Sequence, residues 1–270
     1  MPRQAVFVCS LCVCLSVALP AAASLFSDDF EDESHGDPLD AADWRVLETT
    51  AEVSVSVRTV SADNWAAFEF TASAANTDTA RAWTRNTWRI DNDGPLTWTI
   101  DFQMAAGTRS TTLVPFVFDT DWNDESAAAN KYYKNTDVNV TVIYADDGAV
   151  ANISLFNIPT VSFRDGSDNL FAPGPSDDTN YTLTLTLDDT NAIGDIRARD
   201  AVNPTVYTAQ TAHGLTLSTP GHLGMQVHNL NGADAKTVQF DNVLLTPEPA
   251  TLALLAVGGL VVAMGRRRGT

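Results

Sequence analysis

Hydrophobic and polar residues alternate with a period of two in many short stretches between residues 53 and 245. The run from 96 to 102, LTWTIDF, has an apolar residue at every second position. This period is typical of a β-strand that has one face in a core and the other in solvent. Alternating or short apolar runs predict strands at 53–57, 68–71, 80–84, 96–102, 113–118, 138–144, 149–156, 183–187, 194–199, 223–228 and 237–245.

Turn-forming sequences separate the predicted strands. Asp-Gly or Asn-Gly pairs stand at 93–94, 147–148, 165–166 and 231–232, where they favour hairpin connections. The pattern predicts at most one short helix in this part of the chain, from Asp124 to Tyr133. Many short strands without long helices indicate an all-β fold, a single antiparallel β-sandwich of two sheets.

The first 23 residues have the composition of a secretory signal peptide. Arg3 precedes an apolar run, and Ala21 and Ala23 fit the small-residue rule for signal-peptide cleavage. We therefore predict a leader helix over 1–23, with Ser24 as the first residue of the exported domain; an uncleaved signal anchor is the alternative. All three cysteines lie in this leader, so the exported domain must be stabilised by packing or ions rather than disulfides.

The C-terminus combines an apolar segment with a cluster of positive charge. Residues 250–265 carry no charge. At ~1.5 Å per residue they would form a helix of roughly 24 Å, slightly short of a ~30 Å hydrocarbon core. Arg266, Arg267 and Arg268 follow, and such clusters remain on the cytoplasmic side of a membrane. Residues 247–270 therefore predict a transmembrane anchor with the domain at 24–246 outside; an ordinary single-span anchor is one interpretation.

The order of parts in this segment resembles the PEP-CTERM sorting signal of bacterial surface proteins. Pro247, Glu248 and Pro249 match the recognition motif, and the three arginines after the apolar segment match the stop cluster. The resemblance covers about residues 246 to 270. It implies that an exosortase, a membrane transpeptidase, cleaves near the motif, so that the helix is a temporary anchor. The protein would then reach the cell surface or the extracellular matrix.

The exported part of the chain is strongly acidic. Four of the 16 basic residues lie in the leader or after the sorting motif, which leaves 12 basic against 34 acidic residues from 24 to 249. This excess repels phosphate backbones and favours the binding of cations. Nucleic acid is therefore excluded as a partner.

The two ends of the domain resemble those of concanavalin-like jelly rolls of the laminin-G and laminarinase type. The residues that carry the resemblance are the run from 25 to 32, Leu39 and Asp43-Trp44 at the start, and the run from 240 to 243 at the end. The resemblance implies that the sandwich is a jelly roll in which the first and last strands are neighbours.

The closing strand changes its alternation phase at Asp241, which predicts a bulge there. If Asp241 faces the opening strand, its carboxylate would meet Asp29 or Glu31, and carboxylates that close normally need a cation. We therefore predict a structural Ca²⁺ held by Asp29, Glu31 and Asp241. The alternative is that these residues are exposed charges that protect a sheet edge.

A weaker calcium motif lies at Asp119, Asp121 and Asn123, which have the D-x-D-x-N spacing that begins an EF-hand loop. The loop departs from the EF-hand pattern at its sixth and twelfth positions, where Asp124 and Asn130 stand. An acidic loop that caps the predicted short helix is the alternative interpretation.

No catalytic motif is evident. Laminarinase-like enzymes place Glu, Asp and Glu at alternating positions of one strand, and no such run occurs. The four histidines lack metal-ligand spacing, and no Gly-x-Ser-x-Gly motif is present. The sequence therefore predicts a protein that is not an enzyme.

Trp122 stands in the acidic loop, and an exposed aromatic ring beside Asp and Asn residues is suited to holding a sugar. Burial of Trp122 under the loop is the alternative. Together with the lectin-like resemblance, this predicts a non-catalytic surface or matrix protein that binds extracellular polysaccharide. A glycoside hydrolase or lyase of lectin-like fold, and a purely structural coat protein, are the competing hypotheses.

Overall fold

The computed structural model describes residues 24–72, 74, 78–89, 95–104, 111–122, 137–145, 148–155, 158–172, 179–188, 190–212, 219–229 and 235–247. The leader, the short helix predicted at 124–133 and the segment from 248 to 270 lie outside these ranges. Within the described ranges no helix is long and apolar enough to cross a membrane.

Fifteen strands make up the described part of the chain. They are β1 Phe26–Asp28, β2 Trp44–Glu48, β3 Val53–Val60, β4 Asp63–Phe70, β5 Thr79–Thr84, β6 Leu96–Met104, β7 Thr111–Asp119, β8 Val138–Ala145, β9 Gly148–Leu155, β10 Ile158–Ser162, β11 Tyr181–Leu187, β12 Asn191–Ala198, β13 Tyr207–Ala212, β14 His222–Asn229 and β15 Lys236–Pro247.

The strands form two antiparallel sheets, which confirms the predicted all-β sandwich. The eight-stranded sheet has the order β13-β12-β11-β6-β15-β4-β3, and β1 pairs with the C-terminal half of β15. The seven-stranded sheet has the order β10-β9-β8-β7-β14-β5-β2. The pairing of β1 with β15 agrees with the jelly-roll arrangement implied by the sequence.

The main core lies between the two sheets and is built from the apolar phase of the alternating strands. Trp98 on β6 is buried there, its indole Nε1 donates a hydrogen bond to the Pro115 carbonyl at 3.1 Å, and its ring meets Phe116 edge-on at 5.9 Å. Phe68 and Phe240 make a similar edge-on contact at 5.2 Å between β4 and β15. The alternation therefore identified the core faces of these strands correctly.

All eleven strands predicted from alternation or apolar runs are confirmed, whereas β2, β10 and β13 were not predicted. The sequence of β13, YTAQTA, explains why it was missed, since its buried residues Ala209 and Thr211 are small or polar. The bulge predicted in the closing strand is also confirmed. The β15–β6 register shifts between Asp241 and Leu244, and Asn242 has a left-handed φ of 50°.

Candidate functional site

An open cavity of about 480 Å³ lies where β1 ends beside the bulge of β15. We call it the acidic cavity. The described residues that line it are six acidic residues, Ser27 and residues 242–244, and none of them is basic. The six carboxylates belong to Asp28, Asp29, Asp32, Glu33, Asp40 and Asp43.

A sharp local turn after β1 brings these carboxylates together. Phe30 has a left-handed φ of 55° and is fully buried, with its ring 6.2 Å from that of Trp44. The Asp28 carboxylate holds Phe30 and Trp44 in place. Its Oδ1 accepts a hydrogen bond from the main-chain amide of Phe30 at 2.9 Å, and its Oδ2 accepts one from the Trp44 indole. The strained turn folds the segment after Phe30 back over the end of the strand.

The carboxylate oxygens of Asp28, Asp32 and Glu33 lie within 4.8 Å of one another. Burial raises the pKa of Asp28 above its ordinary value. Burial, a hydrogen bond with Asp32 and the negative charges of Asp28 and Asp32 raise the pKa of Glu33 to about 7. Carboxylates this close cannot all ionise without a proton or a cation between them. Three hard oxygen donors, one of them the buried and unpaired Glu33 Oε2, match the ligand preference of Ca²⁺.

The trio predicted from sequence, Asp29, Glu31 and Asp241, occupies three different settings. Asp29 lines the acidic cavity and is exposed. Glu31 Oε1 accepts a hydrogen bond from the Asn64 amide at 2.7 Å. The converging group in the described part of the chain, Asp28, Asp32 and Glu33, contains none of the three. Sequence reasoning missed this group because the positive φ of Phe30 has no signal in the alternation.

Asp241 belongs to a separate charged group on the outer face of the eight-stranded sheet. It is 1% exposed, its Oδ2 lies 3.4 Å from Arg199 Nη1, and it accepts a hydrogen bond from the Asn242 side chain at 2.6 Å. Arg199 also pairs with Asp101 at 3.3 Å and Asp63 at 3.8 Å. Burial is the largest influence on Asp241 and, with the charges of Asp63 and Asp101, raises its pKa to about 7 despite Arg199.

The weaker calcium motif forms a local turn in the described residues. Asp119 is fully buried, and its Oδ1 accepts a hydrogen bond from the Asp121 amide at 2.8 Å. Asp121 is exposed, and Asn123 lies outside the described residues. Trp122 is buried rather than exposed, with its ring 5.7 Å from that of Trp83.

Trp122 packs on a second buried surface, the outer face of the seven-stranded sheet. Strands β5, β7 and β14 are buried along their whole length, so both of their faces are covered. The face directed away from the main core is rich in polar side chains, and we call it the polar face. Its described members include Arg81, Trp83, Thr112, Val114, Val117, Gln226 and His228.

Some of the polar side chains on the polar face have charged or hydrogen-bonding partners, and others do not. Arg81 is 2% exposed, and burial lowers its pKa to about 10 although the charge of Asp119 opposes the shift. Thr79 Oγ1 and His228 Nδ1 are hydrogen bonded at 2.9 Å. In contrast, both polar atoms of the Gln226 amide have no hydrogen-bond partner within the described residues. Sequence reasoning missed this face, although polar residues inside predicted strands were a signal.

Comparison with protein-family models identifies a sorting signal at the C-terminus. Residues 245–268 match the PEP-CTERM protein-sorting motif. The chain therefore carries this motif, which implies export, a membrane-anchored sorting segment and processing by an exosortase. No curated protein sequence matches the chain.

Solved structures resemble the sandwich. Lectin II from Ulex europaeus matches with a TM-score of 0.53 at 12% identity, over 83% of this chain and 99% of the lectin. The carbohydrate recognition domain of Emp47p matches with a TM-score of 0.52 at 14% identity, over 84% of this chain and 99% of that domain. An alginate lyase from Klebsiella pneumoniae also matches, with a TM-score of 0.48 at 9% identity, over 71% of this chain and 84% of the lyase. The similarity to the two carbohydrate-binding proteins establishes a concanavalin-like lectin fold.

Proposed function

We propose that this protein is an exported surface or matrix protein whose β-sandwich binds carbohydrate without cleaving it. The observation that carries the proposal is the lectin-type sandwich joined directly to a PEP-CTERM motif. The motif accounts for delivery outside the cell.

Two features support binding over hydrolysis. The polar face holds an arginine, an amide and an imidazole beside two tryptophan rings, which suits sugar hydroxyls and ring faces. Glycoside hydrolysis normally uses two carboxylates on either side of the scissile bond. On the polar face Asp119 is the carboxylate near Arg81 in the described part of the chain, and its charge is opposed by that arginine.

A glycan array combined with a reducing-sugar assay tests the proposal. We expect the exported domain, residues 24–249, to bind a subset of polysaccharides and to release no sugar from them. Steady release of reducing ends, or of unsaturated products, would show that the domain is a hydrolase or lyase instead. If the domain neither binds a glycan nor releases sugar, a purely structural coat protein would be favoured.

We also propose that Ca²⁺ binds in the acidic cavity and stabilises the junction of β1 and β15. Asp28, Asp32 and Glu33 would hold the ion, and Asp29 also lines the acidic cavity. In the absence of a cation, burial, the hydrogen bond with Asp32 and the repulsion from Asp28 and Asp32 favour the protonated form of Glu33 and raise its pKa to about 7. Ion binding would release that proton, so the affinity for Ca²⁺ should rise between pH 6 and pH 8.

Chelation of calcium should lower the melting temperature of the domain. An ion that binds only the folded state stabilises it by roughly 2.7 kcal/mol at ~100 times the dissociation constant. Thermal scans with Ca²⁺ and with EDTA measure the effect, and equal midpoints would contradict a bound ion. Glu33→Gln should remove most of the difference between the two scans, whereas Asp119→Asn should preserve it. Loss of the difference in Asp241→Asn would favour the trio predicted from sequence.

A further inference from the structure

We propose that Lys236 and Asn229 react with each other to form an amide bond between their side chains. With Asp78 they make up a group of three polar residues that we call the buried triad. Asp78, Asn229 and Lys236 are 4%, 0% and 3% exposed, respectively. The proposal is independent of the proposed binding of sugar and calcium, because none of the three residues lines the acidic cavity or belongs to the polar face.

The strands direct all three side chains into the main core, at one end of the sandwich. Side chains at every second residue of a strand share a face. Each member of the buried triad stands two residues from a residue of the main core on its own strand, and these core residues are Ala80, Val227 and Val238. Strands β5 and β14 belong to the seven-stranded sheet and β15 to the eight-stranded sheet. A bond between Lys236 and Asn229 would therefore join the two sheets covalently.

The two reacting side chains are already in contact. Lys236 Nζ donates a hydrogen bond to Asn229 Oδ1, which places the amine beside Cγ, the carbon atom that bears this oxygen. Asn229 Nδ2 donates a hydrogen bond to the Ala74 carbonyl at 3.1 Å. The Asn229 amide is therefore held in place beside the amine. Such fixed proximity is a major source of rate enhancement for reactions within one molecule.

The third member of the triad supplies a carboxylate on the same face. The main-chain amide of Asn229 donates a hydrogen bond to the Asp78 carbonyl at 3.0 Å, which continues the register in which His228 pairs with Thr79. Asp78 and Asn229 therefore stand directly opposite each other. Opposite side chains of an antiparallel pair share a face, with their Cβ atoms ~4.5–5.5 Å apart. Asp78 is thus placed to receive a proton during the reaction.

The type of the buried basic residue also favours a reaction. Thirteen of the 16 basic residues of the chain are arginines, and three are lysines, at 131, 134 and 236. Arginine is the usual choice for a buried ion pair, because its guanidinium group presents a rigid fork of donors. A lysine in a desolvated site differs in that its amine can act as a nucleophile. The only role that requires lysine at position 236 is therefore a chemical one.

The reaction is an exchange of one amide for another. Asp78 takes one proton from the Lys236 ammonium, and the lone pair of the neutral amine attacks Cγ of Asn229. The Nζ–Cγ bond forms, the Cγ–Nδ2 bond breaks, and Nδ2 leaves as ammonia with a second proton from Nζ. The proton held by Asp78 then passes to the ammonia. The products are one secondary amide and one ammonium ion, and no oxidant or reductant is needed.

Mass spectrometry of the folded full-length chain, purified from a host without an exosortase, tests the proposal. The bond should lower the mass by about 17 Da, the mass of one ammonia. Trypsin should no longer cleave after Lys236, so the peptide 200–236 should be replaced by the peptide 200–266. Fragmentation of that peptide should give no ions from main-chain breaks between 229 and 236, because the bond closes a ring. A folded chain with the full mass and a cleavable Lys236 would overturn the proposal.

Four variants assign the bond to the triad. Lys236→Arg and Asn229→Ala should both keep the full mass, because each lacks one reacting group. Asp78→Asn should leave most of the chain unmodified, since general acid–base catalysis contributes roughly 100-fold or more. Lys131→Arg is the control and should still show the loss of ammonia. Full modification of Asp78→Asn would overturn the role of Asp78, and loss of ammonia in Lys236→Arg would overturn the bond itself.

Two further outcomes are distinguishable. Formation of a succinimide at Asn231-Gly232 would release the same ammonia but leave Lys236 open to trypsin, and this result would contradict the proposed bond. Lys236→Met replaces Lys236→Arg if the arginine variant does not fold, because an apolar side chain of similar length removes the buried charge. It should also keep the full mass. The mass and tryptic map of the unmodified sequence decide the proposal even if every triad variant fails to fold.

Discussion

Gly224→Ala should lower the free energy of unfolding by roughly 3 kcal/mol or more, because overpacking forces well-packed atoms apart. A Cβ atom at this position would lie 2.4 Å from the Ala82 carbonyl oxygen and 2.9 Å from the Trp83 Cα. Both contacts are with the main chain of β5, so no side-chain rotation can relieve them. Strands β14 and β5 would have to separate, one strand in from the β2 edge of the seven-stranded sheet. Denaturant unfolding followed by circular dichroism measures the change.

Gly166→Ala is the matched control. An added Cβ at Gly166 would meet no heavy atom within 4 Å, and the residue has no left-handed φ. Such a substitution is expected to be neutral or to stabilise by about 0.4–1 kcal/mol through the unfolded chain. Similar stability for Gly224→Ala and Gly166→Ala would show that β14 and β5 are not as close as described.

Asp241→Asn should stabilise the protein above pH 7 and reduce the pH dependence of its stability. The Asp241 pKa is raised to about 7 in the folded protein from an ordinary value of 3.8. Between about pH 4 and pH 7 the folded chain therefore holds a proton that the unfolded chain has lost. Stability falls as the pH rises through this window and levels off above it. The linked cost is on the order of 4 kcal/mol at about 1.4 kcal/mol per pKa unit.

Asparagine has a similar shape to aspartate and cannot ionise, so it avoids this cost. Arg199 retains Asp101 and Asp63 as partners in the variant. Unfolding free energies measured from pH 4 to pH 9 in EDTA should diverge above pH 5, with the variant the more stable. Asp200→Asn, at an exposed turn, serves as the control and should follow the unmodified protein. Parallel curves for Asp241→Asn and the unmodified protein would contradict the raised pKa.

The sequence predicted the fold wherever one strand face is apolar and the other polar. Strand β11 is an example, because its leucines are buried and its threonines are half-buried. The bulge in β15 was predictable for the same reason, since a change of alternation phase requires an extra residue. The alternation of apolar and polar residues therefore determines the pairing register of strands that have one solvated face.

The sites depend on contacts between distant residues, and alternation does not encode these. Asp28 is positioned by Trp44, sixteen residues later in the chain. Trp122 was interpreted as a candidate exposed ring because its neighbours are acidic, but it packs on Trp83 from a different strand. The polar face was missed because β5 and β14 are covered on both sides, so a polar residue there does not mark solvent.

The last strand continues into the sorting motif without a spacer. Leu245 pairs with Phe26 on one side, and Pro247, the first residue of the motif, pairs with Leu96 on the other. Two residues, 248 and 249, separate this strand from the predicted anchor at 250–265. A linker of two residues allows almost no translation or rotation of the domain relative to the anchor, because the span of a flexible linker grows with its length. The direction of β15 would therefore determine which side of the sandwich faces away from the bilayer. An exosortase would have to cleave the chain within a few ångströms of the folded sheet.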